Sequence, residues 1–401
     1  MKRILFSAAL LLATVFTQAQ TQEQTKPEYQ NIADKLLATN SKLTIGGYGE
    51  VHYHQPLSSE NRRNGELDVH RMVMLFGYQF SDRTQFITEL EFEHVSEVYV
   101  EQAFLQHKIN KSINFRAGLL LIPMGIVNEY HEPTTFNGVE RPLVDNKISP
   151  TTWREIGFGL SGTIQPANLK YQTYLVNGFN GYDGTAKLNG NNGLRSGRQK
   201  GASSYISAPN FTAKVEYYGI RGLNIGLSGY LGDTQSKLYN GIAKDNEAAL
   251  AKADSSVVGV SMIGVDARYT LKGLQLRGQL YRVGLSNTDQ YNQFTNKGTT
   301  LNDFGSAMNV YYVEAGYNVF RPFEKINYEL IPFVRLEGYN THAEVASNIV
   351  KKASYKNSVI TTGLTLKLAQ GAVLKTDMQF VKPDGAESYS KVFSAGLGVM
   401  F

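Results

Sequence analysis

The sequence predicts an all-β protein: a 16-stranded antiparallel transmembrane β-barrel with short turns at one end and long loops at the other. Three observations point there. From Ser41 onward, apolar and polar residues alternate over segments of roughly 9 to 13 residues. The connections between segments are alternately long and short, and the last segment ends on a phenylalanine, Phe401. A tilted strand crosses a bilayer in about 9 to 11 residues. Only a closed sheet leaves no backbone group unpaired in hydrocarbon.

The two ends of the chain carry separate signals. Met1-Lys2-Arg3 is basic, Ile4 to Phe16 is apolar, and Thr17-Gln18-Ala19 offers small residues where a peptidase cuts. Residues 1–19 are therefore expected to be a cleaved signal peptide, since the apolar run is too short to span a membrane. The chain has no cysteine, which fits an oxidising compartment and excludes disulfides and thiolate metal sites. Lys and Arg number 40 against 35 Asp and Glu, a net +5 that falls to +3 without Lys2 and Arg3. This small, evenly spread charge gives no footing for nucleic acid.

Residues 20–40 form a short N-terminal segment, expected on the periplasmic side, in which Ala33 to Ala38 could make one or two helical turns. It is too short for a plug, which disfavours a TonB-dependent transporter. The barrel is expected over 41–401. Its alternation is plain in Ile113, Phe115, Ala117, Leu119 and Leu121 against Asn114, Arg116, Gly118 and Leu120. It recurs in Leu374, Thr376, Met378 and Phe380 against Lys375, Asp377 and Gln379. Sixteen strands begin near Lys42, Leu67, Thr84, Val98, Ile113, Glu155, Leu169, Phe211, Leu223, Val257, Leu274, Met308, Tyr328, Ser358, Ala372 and Lys391. Long connections such as 123–154 and 178–210 follow odd strands, and turns such as Lys272-Gly273 follow even ones. Tyrosines near strand ends, Tyr48, Tyr78, Tyr230, Tyr311 and Tyr317 among them, are expected to form interfacial girdles. The last strand, Lys391 to Phe401, resembles the signal read by the outer-membrane barrel assembly machinery. The rival fold, a secreted β-sandwich, has strands nearer five or six residues.

Sixteen strands enclose a water-wide interior. Alternation sends Tyr48, Glu50, His52, Glu89, Glu91, Glu93, Arg116, Asp266, Arg268, Arg277, Glu314, Arg335, Glu337, Lys367, Lys375 and Asp377 into it. Arg71 joins them, although strands two and four are apolar on both parities and open to a one-residue slip. The connection 123–154 is long and unpatterned. Such a loop either folds inward as the third loop and, with Glu140 and Arg141, narrows the pore, or stands outside like the other long loops; the inward reading leans on the family resemblance described below. The candidate pore-lining and constriction residues are thus Arg71, Glu89, Glu91, Glu93, Arg116, Glu140, Arg141, Arg268, Arg277, Arg335 and Glu337. Facing charges bias which ions pass, though most pairs would simply neutralise one another. Glu89, Glu91 and Glu93 read as a lumen stripe balancing arginines rather than as a cation site. His52 and His54 have ligand spacing but lack a third donor. His131, near Glu129 and Glu132 in sequence, has no partnered nucleophile, so no hydrolase constellation stands out. No catalytic, metal or cofactor residue is assigned.

Several motifs have a familiar ring: Asp68-Val69-His70-Arg71, Phe115-Arg116-Ala117-Gly118, Pro123-Met124-Gly125, Val139-Glu140-Arg141-Pro142-Leu143, Ser149 to Gly157, and Asn177-Gly178. On these the chain, from about Ser41 to Phe401, resembles the phosphate-selective porin O and P family, particularly its Bacteroidetes versions. The resemblance implies a trimer, an inward third loop, and lumen arginines and lysines that select phosphate. The expected function is an outer-membrane porin, surrounded by lipid, through which small hydrophilic solutes or ions, anions such as phosphate included, diffuse passively. The alternative is a barrel used mainly as an adhesion or assembly scaffold through its long loops.

Overall fold

Side chains of a strand point alternately to opposite faces, so alternation in sequence becomes two chemically different surfaces of one sheet. A computed structural model describes residues 29, 31–39, 41–58, 60–147, 151–296, 298 and 301–401; the expected signal peptide, residues 1–19, lies outside them. Among the described residues the strands are β1 (Leu43–Leu57), β2 (Glu66–Ser81), β3 (Thr84–Glu93), β4 (Glu97–Lys108), β5 (Asn114–Leu121), β6 (Arg154–Ile164), β7 (Leu169–Val176), β8 (Asn180–Tyr182) and β9 (Asn210–Ile220). They continue with β10 (Leu223–Asp233), β11 (Gln235–Ser236), β12 (Gly259–Leu271), β13 (Leu274–Ser286), β14 (Ala307–Tyr317), β15 (Glu329–Glu344), β16 (Lys356–Ala369), β17 (Ala372–Pro383) and β18 (Ser390–Met400). Sixteen of these close an antiparallel barrel in chain order, with β18 pairing back onto β1. Each barrel strand begins within two residues of its expected start. The other two, β8 and β11, pair in parallel among the long loops.

The two faces are inverted relative to a water-soluble core. In β12, Ser261, Ile263 and Val265 are exposed whereas Asp266 and Arg268 are buried. The same holds round the wall: Leu227, Leu280, Val313, Leu336 and Leu374 lie outside, and Lys214, Glu314, Arg335 and Lys375 are buried. An apolar outer band over a charged interior is the arrangement that lipid demands. Tight turns close one end; between β12 and β13, Lys272 (φ 50) and Gly273 (φ 87) both take positive φ, as a two-residue hairpin turn requires.

Two bulges settle the registers that alternation left open. The β1–β2 ladder slips between Glu50 and His52, which turns Asp68, His70 and Arg71 all toward the lumen. The β3–β4 ladder slips beside Glu89, and Glu101 becomes an extra inward carboxylate beside Gln102. A bulge flips parity, so both readings of these strands hold, each on one side of it. The girdle expectation needs correcting: Tyr311, Tyr317 and Tyr78 are exposed, but Tyr48 and Tyr230 are buried.

The N-terminal segment carries one short helix. Its helix α1 (Ile32–Leu37), capped by the Asn31 side chain on the Asp34 N–H, packs into the short-turn mouth of the barrel. Asp34 pairs with Lys170 at 2.8 Å and lies 3.7 Å from Arg116. Gln85 donates to the Leu37 carbonyl, and the Ile32 N–H donates to Glu132. A segment too short to be a plug domain still occupies the opening, because its single turn of helix matches the wall in charge.

Candidate functional site in the barrel lumen

The described part of the connection between β5 and β6, residues 122–147 and 151–153, lies inside the barrel, and its residues 122–133 are buried without a break. Its base is closed by backbone pairing of the Ile122 N–H with the Trp153 carbonyl and by Asn128, whose amide donates to both the Ile122 and Trp153 carbonyls. Trp153, the single tryptophan of the chain, is fully buried against Phe179 and Tyr230, and its indole N–H donates to Glu155 at 2.8 Å. Gly125 allows the closest approach to the wall. Its φ is +74, and a Cβ there would come within 1.9 Å of the Tyr281 hydroxyl.

From this base the loop reaches the wall on several sides. The Lys214 ammonium donates to the Gly125 carbonyl at 2.6 Å and to Glu129 at 3.0 Å. The Arg335 guanidinium donates to the Asn137 carbonyl, the Val139 N–H donates to Asp377 at 2.6 Å, and the Val144 N–H donates to Glu337 at 3.2 Å. On β2, Arg71 donates to the His131 carbonyl at 2.6 Å. Loop and wall therefore satisfy each other's buried polar groups, as burial requires.

The predicted residues all reach the lumen side, but in separate clusters. Arg71 pairs with Glu50 at 2.5 Å and lies 3.7 Å from Glu91, with Arg141 3.6 Å from the same Glu50. Glu89 accepts from the Tyr48 hydroxyl at 2.7 Å. Across the barrel, Arg277 and Arg335 share Glu314 at 3.1 and 2.7 Å, and Glu337 lies 3.8 Å from Arg335. Arg268 pairs with Glu216 at 3.0 Å and covers the ring of Tyr130. Arg116 stands apart near the short-turn mouth, donating to Gln106 at 2.7 Å. Glu93, Glu140 and Arg141 border a cavity of about 130 Å³ on the long-loop side. A larger space, about 380 Å³ and bordered by Arg268, Arg277 and Lys367, opens on the short-turn side. The loop sits between the two.

His131 does not use its sequence neighbours Glu129 and Glu132. Its Nε2 lies 3.4 Å from both Glu89 and Glu101. Burial by itself would lower this imidazole, but the Glu101 and Glu89 carboxylates outweigh it and hold the group well above its ordinary value. The ring thus sits between two acids. Lys214 and Glu216 were legible, since they alternate with Ala213 and Val215 along β9. Glu101 left no signal in sequence, because nothing in the local pattern marks its bulge.

Asp145 yields a pH prediction. Burial, and secondarily the Glu337 carboxylate, push it up to about 8 against a hydrogen bond from Gln279. A raised folded-state value means that its stabilisation is complete below about pH 4 and is lost as pH rises through about 8. Thermal unfolding of the detergent-folded barrel should therefore show a midpoint that falls over that interval, and Asp145→Asn should flatten part of the fall. An identical slope in the variant would remove Asp145 from the account.

No family model matches the chain. Over 383 residues it is 28% identical to an uncharacterized protein of Aquifex aeolicus, a match covering 92% of this chain and 82% of that protein. Among solved structures it is similar to OmpF of Salmonella typhi, in complex with daunomycin (TM-score 0.58, 12% identity, 90% of this chain and 97% of that one). It is also similar to the outer membrane channel DcaP of Acinetobacter baumannii (TM-score 0.57, 11% identity, 90% and 97%). A third likeness is to an anion-selective porin from Comamonas acidovorans (TM-score 0.54, 13% identity, 90% and 99%). The fold is a porin fold. At such identities the likeness speaks for architecture alone.

Proposed function

We propose that the chain works in an outer membrane as a porin-type channel through which small hydrophilic solutes or ions diffuse passively. The observation that carries this reading is the pairing of an apolar outer wall with a charged interior crossed by one inward loop. In this reading residues 1–19 are the export signal, and the short turns and α1 face the periplasm. The long loops face outward, the last strand engages the assembly machinery, and three copies associate in lipid, as the resemblance to the phosphate-selective porin O and P family implies.

Phosphate selectivity would need lumen cations without acidic partners. Arg71, Lys214 and Arg335 each sit within 3.0 Å of a carboxylate. We therefore place the channel among weakly charge-selective ones. Reversal potentials in planar bilayers under a tenfold salt gradient should be small, and Arg116→Ala and Arg141→Ala should each shift them toward cations. A potential near the ideal anion limit of about 59 mV would overturn weak selectivity. Unchanged potentials in both variants would sink the constriction assignment. The scaffold reading draws on the unbroken burial of residues 122–133, and it would be selected if no steady open level appeared.

A further inference from the structure

We infer that the long-loop mouth of the lumen carries a transition-metal site formed by His52, His54 and Glu140. Four of the chain's seven histidines gather there: His52, His54, His70 and His94. His52 and His54 are two apart on β1, so both project from one face. The third donor comes from the inward loop, which explains why the sequence shows only a pair. The Glu140 carboxylate oxygen lies 3.1 Å from His52 Nδ1 and 3.0 Å from His54 Nε2. One donor atom from each of the three residues falls within 4.8 Å of the others. Tetrahedral zinc with nitrogen and oxygen ligands at about 2.0–2.1 Å holds its donors about 3.3 Å apart. The two edges that meet at Glu140 are thus already close to that spacing.

The remaining ring nitrogens support the assignment. Metal-binding imidazoles are commonly oriented by a partner on the other nitrogen. His52 Nε2 faces Glu50 at 3.4 Å, and Glu50 is itself fixed by Arg71. His54 Nδ1 lies 2.9 Å from the Ser394 hydroxyl. Both rings thus aim the free nitrogen at one carboxylate. The His52 side chain is 4% exposed, whereas those of His54 and Glu140 are 24% and 41% exposed, so an ion can enter and a fourth position stays open. Two imidazoles with one carboxylate suit zinc, copper or nickel rather than magnesium or calcium. Since Glu140 belongs to the loop and both histidines to the wall, a bound ion would cross-link the two. A purely structural cluster would keep the same hydrogen bonds and show no such preference.

The test is calorimetric titration of the full-length, detergent-folded protein with zinc alone and with magnesium alone. Circular dichroism would establish that each variant is folded. Saturable zinc binding without magnesium binding is expected, together with a rise in the thermal midpoint as zinc is added. Glu140→Gln with His54→Ala should weaken zinc binding at least tenfold, whereas His94→Ala, in the neighbouring set with Asp68 and His70, should leave it in place. No saturable binding would overturn the site. So would binding that survives the Glu140→Gln and His54→Ala pair, or binding lost with His94→Ala. None of these readouts depends on conductance, so failure here leaves the channel reading standing.

Discussion

Replacing residues 124–151 by a short Gly-Ser linker is expected to raise single-channel conductance several-fold while leaving the barrel folded. The loop is tied at its base through Ile122, Asn128 and Trp153, and its middle is held by wall groups on β2, β9, β15 and β17. Its residues therefore stand where water and ions would pass. Barrel closure does not use them, because β5 and β6 pair directly with each other from Asn114–Ser161 to Leu121–Arg154. The helix α1 is a second obstacle at the short-turn mouth, so removing residues 29–39 as well should widen the step further. Planar-bilayer recordings of the two shortened variants against the intact chain make the comparison. An unchanged conductance in both would mean that ions do not follow the lumen past the loop.

The second large effect is energetic. Arg335 is fully buried, donates to Glu314 and to the Asn137 carbonyl, and lies beside Glu337. Arg335→Met removes the cation beside two desolvated carboxylates, of which Glu314 keeps Arg277 while Glu337 is left without one, and it frees a loop carbonyl. Removing one member of a buried ion pair costs about 3–5 kcal/mol, far more than an exposed pair is worth. Denaturant unfolding in detergent micelles should show a loss of this order. The double variant Arg335→Met with Glu337→Gln should regain part of it, because Glu314 keeps Arg277 and the carboxylate left without a cation is gone. A cost under about 1 kcal/mol for the single change would mean that water reaches Arg335 and screens it.

Much of the architecture is legible in residues such as Leu374 to Phe380 or Leu274 to Tyr281. A two-residue period has only one geometric solution, and hydrocarbon tolerates only closed sheets. That is why every strand start lies close to its expected place. The candidate site was legible in kind, as inward charges, yet not in its partnerships. Arg335 and Glu314 are neighbours because β14 pairs with β15, a register read only in the folded sheet. Arg71 and His70 both face inward because a bulge adds a residue, and no local pattern announces that.

Sequence by itself determined the strands, their inside-out polarity and the unequal loops. All of these follow from short-range periodicity and from the chemistry of lipid. Only the tertiary structure decided what fills the lumen and which charges meet there. It brought Glu140 from the loop to His52 and His54, Asp34 to Lys170, and His131 to Glu89 and Glu101. Those contacts join residues up to 136 positions apart. They depend on how a loop and a turn of helix settle against a closed wall, and no local pattern encodes that.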